Sequence, residues 1–118
     1  MESVRSKEGV IAVRKKRLEK ELSKIVSTLI EKYDPLKIIL FGSLATGNIH
    51  EYSDIDLIVI KNSTKSFYER LEEVIEFIDS DVGTDIIVYT PAEMEEVKDR
   101  MFFKEEVFRK GKVLYEAK

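Results

Sequence analysis

The chain has 118 residues, 43% of them hydrophobic, with no cysteine, one histidine (His50) and a net charge of −3. That length allows one domain with a real core, while the composition excludes disulfides, thiolate metal sites, a cysteine nucleophile and any multi-histidine zinc site. The negative balance argues against direct nucleic-acid binding by bulk charge. No apolar stretch approaches the roughly 20 residues of a membrane span, and no signal-peptide core opens the chain, so a cytoplasmic protein with no membrane attachment is expected.

In chain order, residues 1–7 are polar and read as a frayed start. A long helix is expected over about 8–33, with Leu18, Leu22, Ile25, Val26, Leu29, Ile30 and Tyr33 forming one apolar stripe. Asp34-Pro35 stops it. Its basic run, Arg14-Lys15-Lys16-Arg17, reads first as a solvated face balanced by Glu19 and Glu21. The sharper reading is a contact surface for RNA or an acidic partner. A strand buried on both sides is expected over 36–41, a short helical segment over 44–47, a loop over 48–53 and a second strand over 54–60. Ser63-Thr64 can cap a helix over about 65–79, with Phe67, Leu71, Val74, Ile75 and Ile78 as its apolar face. Gly83 marks a turn before a third strand, 84–89. Thr90-Pro91-Ala92-Glu93 combines a capping box with proline at the first helical position. The helical segment it opens, about 91–110, should turn Met94, Val97, Met101 and Phe108 inward, with a break near Met101-Phe102-Phe103. Gly111 ends it, and 113–115 can add a last short strand. Helices alternating with strands predict an α/β layer structure in one domain, 1–118, whose core spans about 36–89.

The chemistry concentrates between Gly42 and Ile60. The apolar run into Phe41 stops at Gly42-Ser43, where glycine allows a close ligand approach. Ser43 offers a hydroxyl, and a short helix starting there would aim free N–H groups at an anion. Asp54 and Asp56 open the next strand two residues apart, so their side chains share a face. Two carboxylates on one face repel unless a cation sits between them, and hard oxygen ligands beside a phosphate turn suit Mg²⁺. Two ions need a third acid from a neighbouring strand. Asp85 opens Ile86-Ile87-Val88 much as Asp54 opens its own strand, and it is preferred to Asp79 and Asp81. The pair Asp79-Ser80-Asp81 lacks both a following strand register and a phosphate turn.

Gly42-Ser43, ten intervening residues, then Asp54-Ile55-Asp56 resembles the signature of the DNA polymerase β-like nucleotidyltransferase superfamily. With Gly42-Ser43-Leu44-Ala45-Thr46-Gly47 and Ser53-Asp54-Ile55-Asp56-Leu57 in so short a chain, it is most similar to the minimal nucleotidyltransferases, the MNT antitoxin type. The resemblance is strongest over 36–60 and weaker through Asp85 to the C-terminal Gly111-Lys112-Val113-Leu114-Tyr115. It implies an α+β fold with a small mixed sheet like the polymerase β palm. It also implies two Mg²⁺ ions, with Mn²⁺ as an alternative, held by Asp54, Asp56 and Asp85, and ATP as substrate. Asp85 would help deprotonate the acceptor hydroxyl, Ser43 and nearby amides would bind the β and γ phosphates, and Gly42 and Gly47 would shape the turn. One departure stands out: relatives carry arginine where this chain has Thr46, so one guanidinium for phosphate or partner is missing. His50 in the facing loop either touches substrate or, the commoner case for a lone loop histidine, is simply exposed, and Tyr52 either stacks on a base or covers the core.

The function this implies is transfer of AMP from ATP to a protein hydroxyl. The acceptor would be a tyrosine of a partner HEPN-domain RNase toxin, silenced by the modification, with the pair forming a hetero-oligomer and a homodimer open to the chain alone. Two rivals are a binding module that neutralises its toxin by complex formation alone, and a nucleotidyltransferase acting on a small molecule.

Overall fold

The structure, a computed structural model, describes residues 6–118. The expected frayed start thus lies, for residues 1–5, outside the described residues. Helix α1 (Lys7–Lys32) begins at Ser6, whose hydroxyl accepts the Gly9 N–H at 3.1 Å. It ends at Lys32, with Tyr33 as its cap before Asp34, which takes a left-handed φ of 51° ahead of Pro35. At 26 residues it is about 39 Å long. Its covered face starts only at Leu18 and continues through Ile25 and Leu29, while Val13 is exposed.

Four strands follow: β1 (Lys37–Phe41), β2 (Ile55–Ile60), β3 (Thr84–Tyr89) and β4 (Lys112–Glu116). They form one mixed sheet in the order β3-β2-β1-β4, with β1 antiparallel to β2 and β4, and β2 parallel to β3. Helix α1 and α3 (Phe67–Phe77) belong to the layer covering one face, where Leu18, Ile25, Leu29 and Val74 pack with Ile38, Leu40, Leu57, Val59 and Val88. On the other face, Met94 of α4 (Pro91–Val97) and Phe103 and Val107 of a π-helix (Phe103–Arg109) pack on Ile39 and Ile58. The unbroken apolarity of β1 thus comes from burial on both faces. The mixed α/β class and the mixed sheet are those expected. Among the described residues no helix is long and apolar enough to cross a membrane.

Several details differ from the sequence reading. The cap of α3 is Ser66, not Ser63-Thr64, because Ser66 and Glu69 form a complete capping box. Ser63 instead accepts the Lys65 N–H in a turn. Ile75 lies 60% exposed, whereas Arg70 of the same helix is buried and makes two 2.8 Å hydrogen bonds to Glu93. Glu93 also accepts the Thr90 N–H, so the predicted capping box of α4 doubles as the anchor of the buried Arg70 guanidinium. The C-terminal helical segment is broken at 98–100, earlier than expected. That break and the wider π turn reset the inward face to Phe103 and Val107, leaving Met101 73% and Phe108 46% exposed.

Candidate active site

The sheet register assembles the acids. Asp56 is opposite Phe41 on one side and Asp85 on the other. Neighbouring strands lie about 4.8 Å apart, so Asp56 and Asp85 stand side by side, with Asp54 two residues back on the same face. The Asp56 carboxyl is half-buried. Burial pushes it up to about 6, and the Asp85 and Asp54 carboxylates and a hydrogen bond with Asp85 add to the effect.

The turn after β1 is built around that carboxyl. Gly42 adopts φ 77°, ψ −162°, and a Cβ there would stand 2.3 Å from Asp56 Oδ2. Only glycine satisfies both the backbone and the contact. Helix α2 (Ser43–Thr46) follows, closed by Gly47 at φ 82°, whose N–H reaches the Ser43 carbonyl at 2.9 Å. A Cβ at Gly47 would meet nothing within 4 Å, so its role is the backbone conformation alone. The Ser43 hydroxyl donates to the Ser53 hydroxyl at 2.9 Å, and Ser53 Oγ also accepts the His50 N–H at 2.8 Å. Buried Ser53 therefore staples the 48–53 loop to the turn. His50 Nδ1 accepts the Tyr52 N–H at 3.3 Å, which gives His50 a part in shaping the loop. Tyr52 is 77% exposed and does not cover the core.

Residues distant in sequence complete the surroundings. Arg14 Nε donates to the Ser53 carbonyl at 3.1 Å, and its Nη2 lies 3.6 Å from Asp54 Oδ1. Part of the basic run is therefore not a solvated face but a cation beside the acids. Gly83 gives Asp54 its space, since a Cβ there would stand 2.5 Å from Asp54 Oδ1. An open cavity of about 680 Å³ is lined by Gly42, Ser43, Thr46, Asn48, His50, Glu106 and Lys110. The π-helix ends at this cavity, with Lys110 Nζ 3.1 Å from Glu106 Oε2. Gly111 lets it close down, because a Cβ there would meet the Val107 carbonyl at 2.1 Å and the Leu40 carbonyl at 2.9 Å.

Of the rival acids, Asp81 is exposed and lies 3.7 Å from Arg17 Nη2, and Asp79 is exposed too. The register aligns only Asp85 with Asp56. Among the described residues, no three His, Cys, Asp or Glu side chains are gathered into a ready metal cage. The donor set still fits Mg²⁺. Its oxygens are hard and share a face beside the phosphate turn; Mg²⁺ ordinarily binds through one or two carboxylates plus substrate phosphates.

Arg14, Ser53, Gly83, Glu106 and Lys110 were not singled out in the sequence as site residues. Gly83, two residues before Asp85, carried the nearest thing to a signal. The others are brought in by tertiary packing.

The mixed sheet with helices on both faces is the fold of a solved protein titled as a nucleotidyltransferase. The family described as "Nucleotidyltransferase domain" matches residues 19–113, and the chain belongs to it. A Methanocaldococcus jannaschii protein named "Putative protein adenylyltransferase MJ1305" is 42% identical over 71 residues. That match covers 51% of this chain and 48% of the relative, so the chain matches about half the length of that protein. A Sulfolobus solfataricus crystal structure, titled as a "putative nucleotidyltransferase", superposes with a TM-score of 0.66 at 21% identity. It covers 91% of this chain and 87% of its own, and shows the fold.

Proposed function

We propose that the chain is a metal-dependent nucleotidyltransferase that moves AMP from ATP to a hydroxyl, a tyrosine's, on a partner HEPN-family RNase, and so acts as its antitoxin. The observation that carries the nucleotidyl-transfer reading is Asp56 held between Asp54 and Asp85 directly against the Gly42 turn. A protein acceptor is supported by the name of the Methanocaldococcus relative. The antitoxin role rests on the motif resemblance alone.

In this reading the triphosphate lies in the cavity at Gly42 and Ser43. The first amides of α2 have no intrahelical acceptor, and Lys110 supplies a cation at the same cavity. Asp54 and Asp56 would hold Mg²⁺ or Mn²⁺, with Asp85 contributing to a second site, and the ions would neutralise the triphosphate and the charge that develops during transfer. Arg14 fixes Asp54 in place. The acceptor oxygen attacks the α-phosphorus, the bond to the β-phosphate oxygen breaks, pyrophosphate leaves, and the hydroxyl proton passes to Asp85.

Two outcomes test this. ATP affinity measured by calorimetry should fall at least roughly tenfold with EDTA, because carboxylates and triphosphate then repel. Equal affinity without metal would sink the two-ion reading. In a transfer assay, Asp85→Asn should lose about 10²-fold or more, the scale of a missing general base. Asp79→Asn and Asp81→Asn should stay near wild type. Full activity in Asp85→Asn with loss in Asp81→Asn would reverse the assignment of the third acid.

A further inference from the structure

A second cavity, about 420 Å³, lies between α3 and β3 on the sheet face away from α4 and the π-helix. Leu71, Ile75, Ile78, Val82 and Ile86 line it, and Asp85 borders it. Its walls are open enough that Ile75 is 60% exposed. Beside it runs the outer edge of β3, which has no strand partner among the described residues. Exposed edges are usually blunted by lysine, proline or a bulge, but β3 reads Thr84-Asp85-Ile86-Ile87-Val88-Tyr89 and pairs with β2 in unbroken register. Between Leu71 and Val97 there are nine carboxylates and no lysine or arginine; Glu73, Asp81, Glu93 and Glu95 pair with Lys65, Arg17, Arg70 and Lys98, which leaves Glu72, Glu76, Asp79, Asp85 and Glu96 without an ion-pair partner among the described residues. Of these, Glu72 and Glu76 follow Leu71 and Ile75 on α3 and are exposed.

We propose that the free edge of β3 and this groove form the docking site for the acceptor, an extended basic segment of the partner protein. The segment adds to β3 as a fifth strand by main-chain hydrogen bonding. Its lysines or arginines face the acidic surface, an apolar side chain fills the groove, and its hydroxyl is delivered to Asp85. This rests on the reading of the chain as a protein-directed nucleotidyltransferase, and it adds a stereochemical rule. On β3, Thr84, Ile86 and Val88 face the groove side, while Asp85, Ile87 and Tyr89 face the other. Side chains of an added strand alternate in the same way. The apolar anchor and the acceptor hydroxyl must therefore sit on adjacent residues, or at another odd spacing, and never two apart.

The test uses the full chain and synthetic peptides, first without metal or nucleotide, so that it does not depend on catalysis. The peptide KKIYKK should shift amide NMR signals confined to β3 and α3. The acid-flanked EEIYEE should bind at least tenfold more weakly, and so should KKIYKK to an Ile75→Glu variant, which changes an exposed side chain and leaves the core alone. With ATP and Mg²⁺ added, KKIYKK should accept AMP on tyrosine at least tenfold better than KKIAYKK, which places the tyrosine on the anchor's own face. Signal shifts that are absent, or map elsewhere, or are as strong with EEIYEE, overturn the docking site. Equal transfer to both basic peptides overturns the adjacency rule. Binding at β3 with no AMP transfer to any peptide or protein would leave the docking site standing and remove the enzyme reading instead.

Discussion

The Asp56→Asn variant should be more stable than the wild type in EDTA, yet lose AMP transfer by about 10³-fold or more. The change is nearly isosteric and removes one charge from three crowded carboxylates. With its folded-state pKa raised from 3.8 to about 6, Asp56 binds its proton more tightly folded than unfolded. Wild-type stability therefore falls as pH rises from about 4 to 6, and the deficit persists above that range. Unscreened, a displacement of this size is worth about 3 kcal/mol. The carboxyl is only half-buried, and solvent screening brings the figure to about 1 kcal/mol. Denaturant melts of both proteins should thus coincide near pH 4 and separate by about 1 kcal/mol at pH 7. The activity loss follows because charge neutralisation and positioning supply most of the catalysis in nucleotidyl transfer. The same variant distinguishes enzyme from binder. Incubated with ATP and the partner, the wild type should add AMP mass to it and leave it inactive after separation, whereas Asp56→Asn should bind but leave the partner recoverable. If the wild type adds no mass and the partner recovers fully, neutralisation is by complex formation.

The second large effect is expected at Gly42. Alanine there meets a backbone conformation that is essentially glycine-only, costing on the order of 1–3 kcal/mol. Its methyl would also have to displace Asp56 Oδ2 from 2.3 Å. A shift of about 1 Å in a positioning group can cost about 10² in rate, so Gly42→Ala should lose at least that much transfer together with stability. Gly47→Ala is the control. It has a similar positive φ but open space around it, so it should cost about 1 kcal/mol and keep transfer within a few-fold. Thermal melts and single-turnover transfer of the two variants separate strain from site geometry. If both lose activity alike, the Asp56 contact is not what Gly42 serves.

The acids were legible because strand alternation is strict. Asp54 and Asp56 share a face by parity, and Asp85 begins its strand as they begin theirs, so the register that aligns Asp56 with Asp85 could be anticipated. The capping box at Thr90 was equally local. What escaped is what two distant segments make together. Arg14 precedes Asp54 by a helix, a strand and a loop, and nothing in its basic run marks it from Lys15 or Arg17. Arg70 reads as one more surface charge until Glu93 is brought under it. The inward face of 101–109 depended on where the helix broke, and the π turn has no plain signature in Phe103–Arg109.

The parallel pairing of β2 with β3 has a consequence for when the protein becomes competent. Parallel strands need a long crossover, and here it runs through α3 from Ile60 to Thr84. Everything made before Thr84 contains the phosphate turn and two carboxylates but not the third. Contacts that distant in sequence form late, because the loop must close before they reward it. A nascent or clipped chain ending short of β3 therefore lacks Asp85, and the cluster of three acids is incomplete until the edge strand has docked.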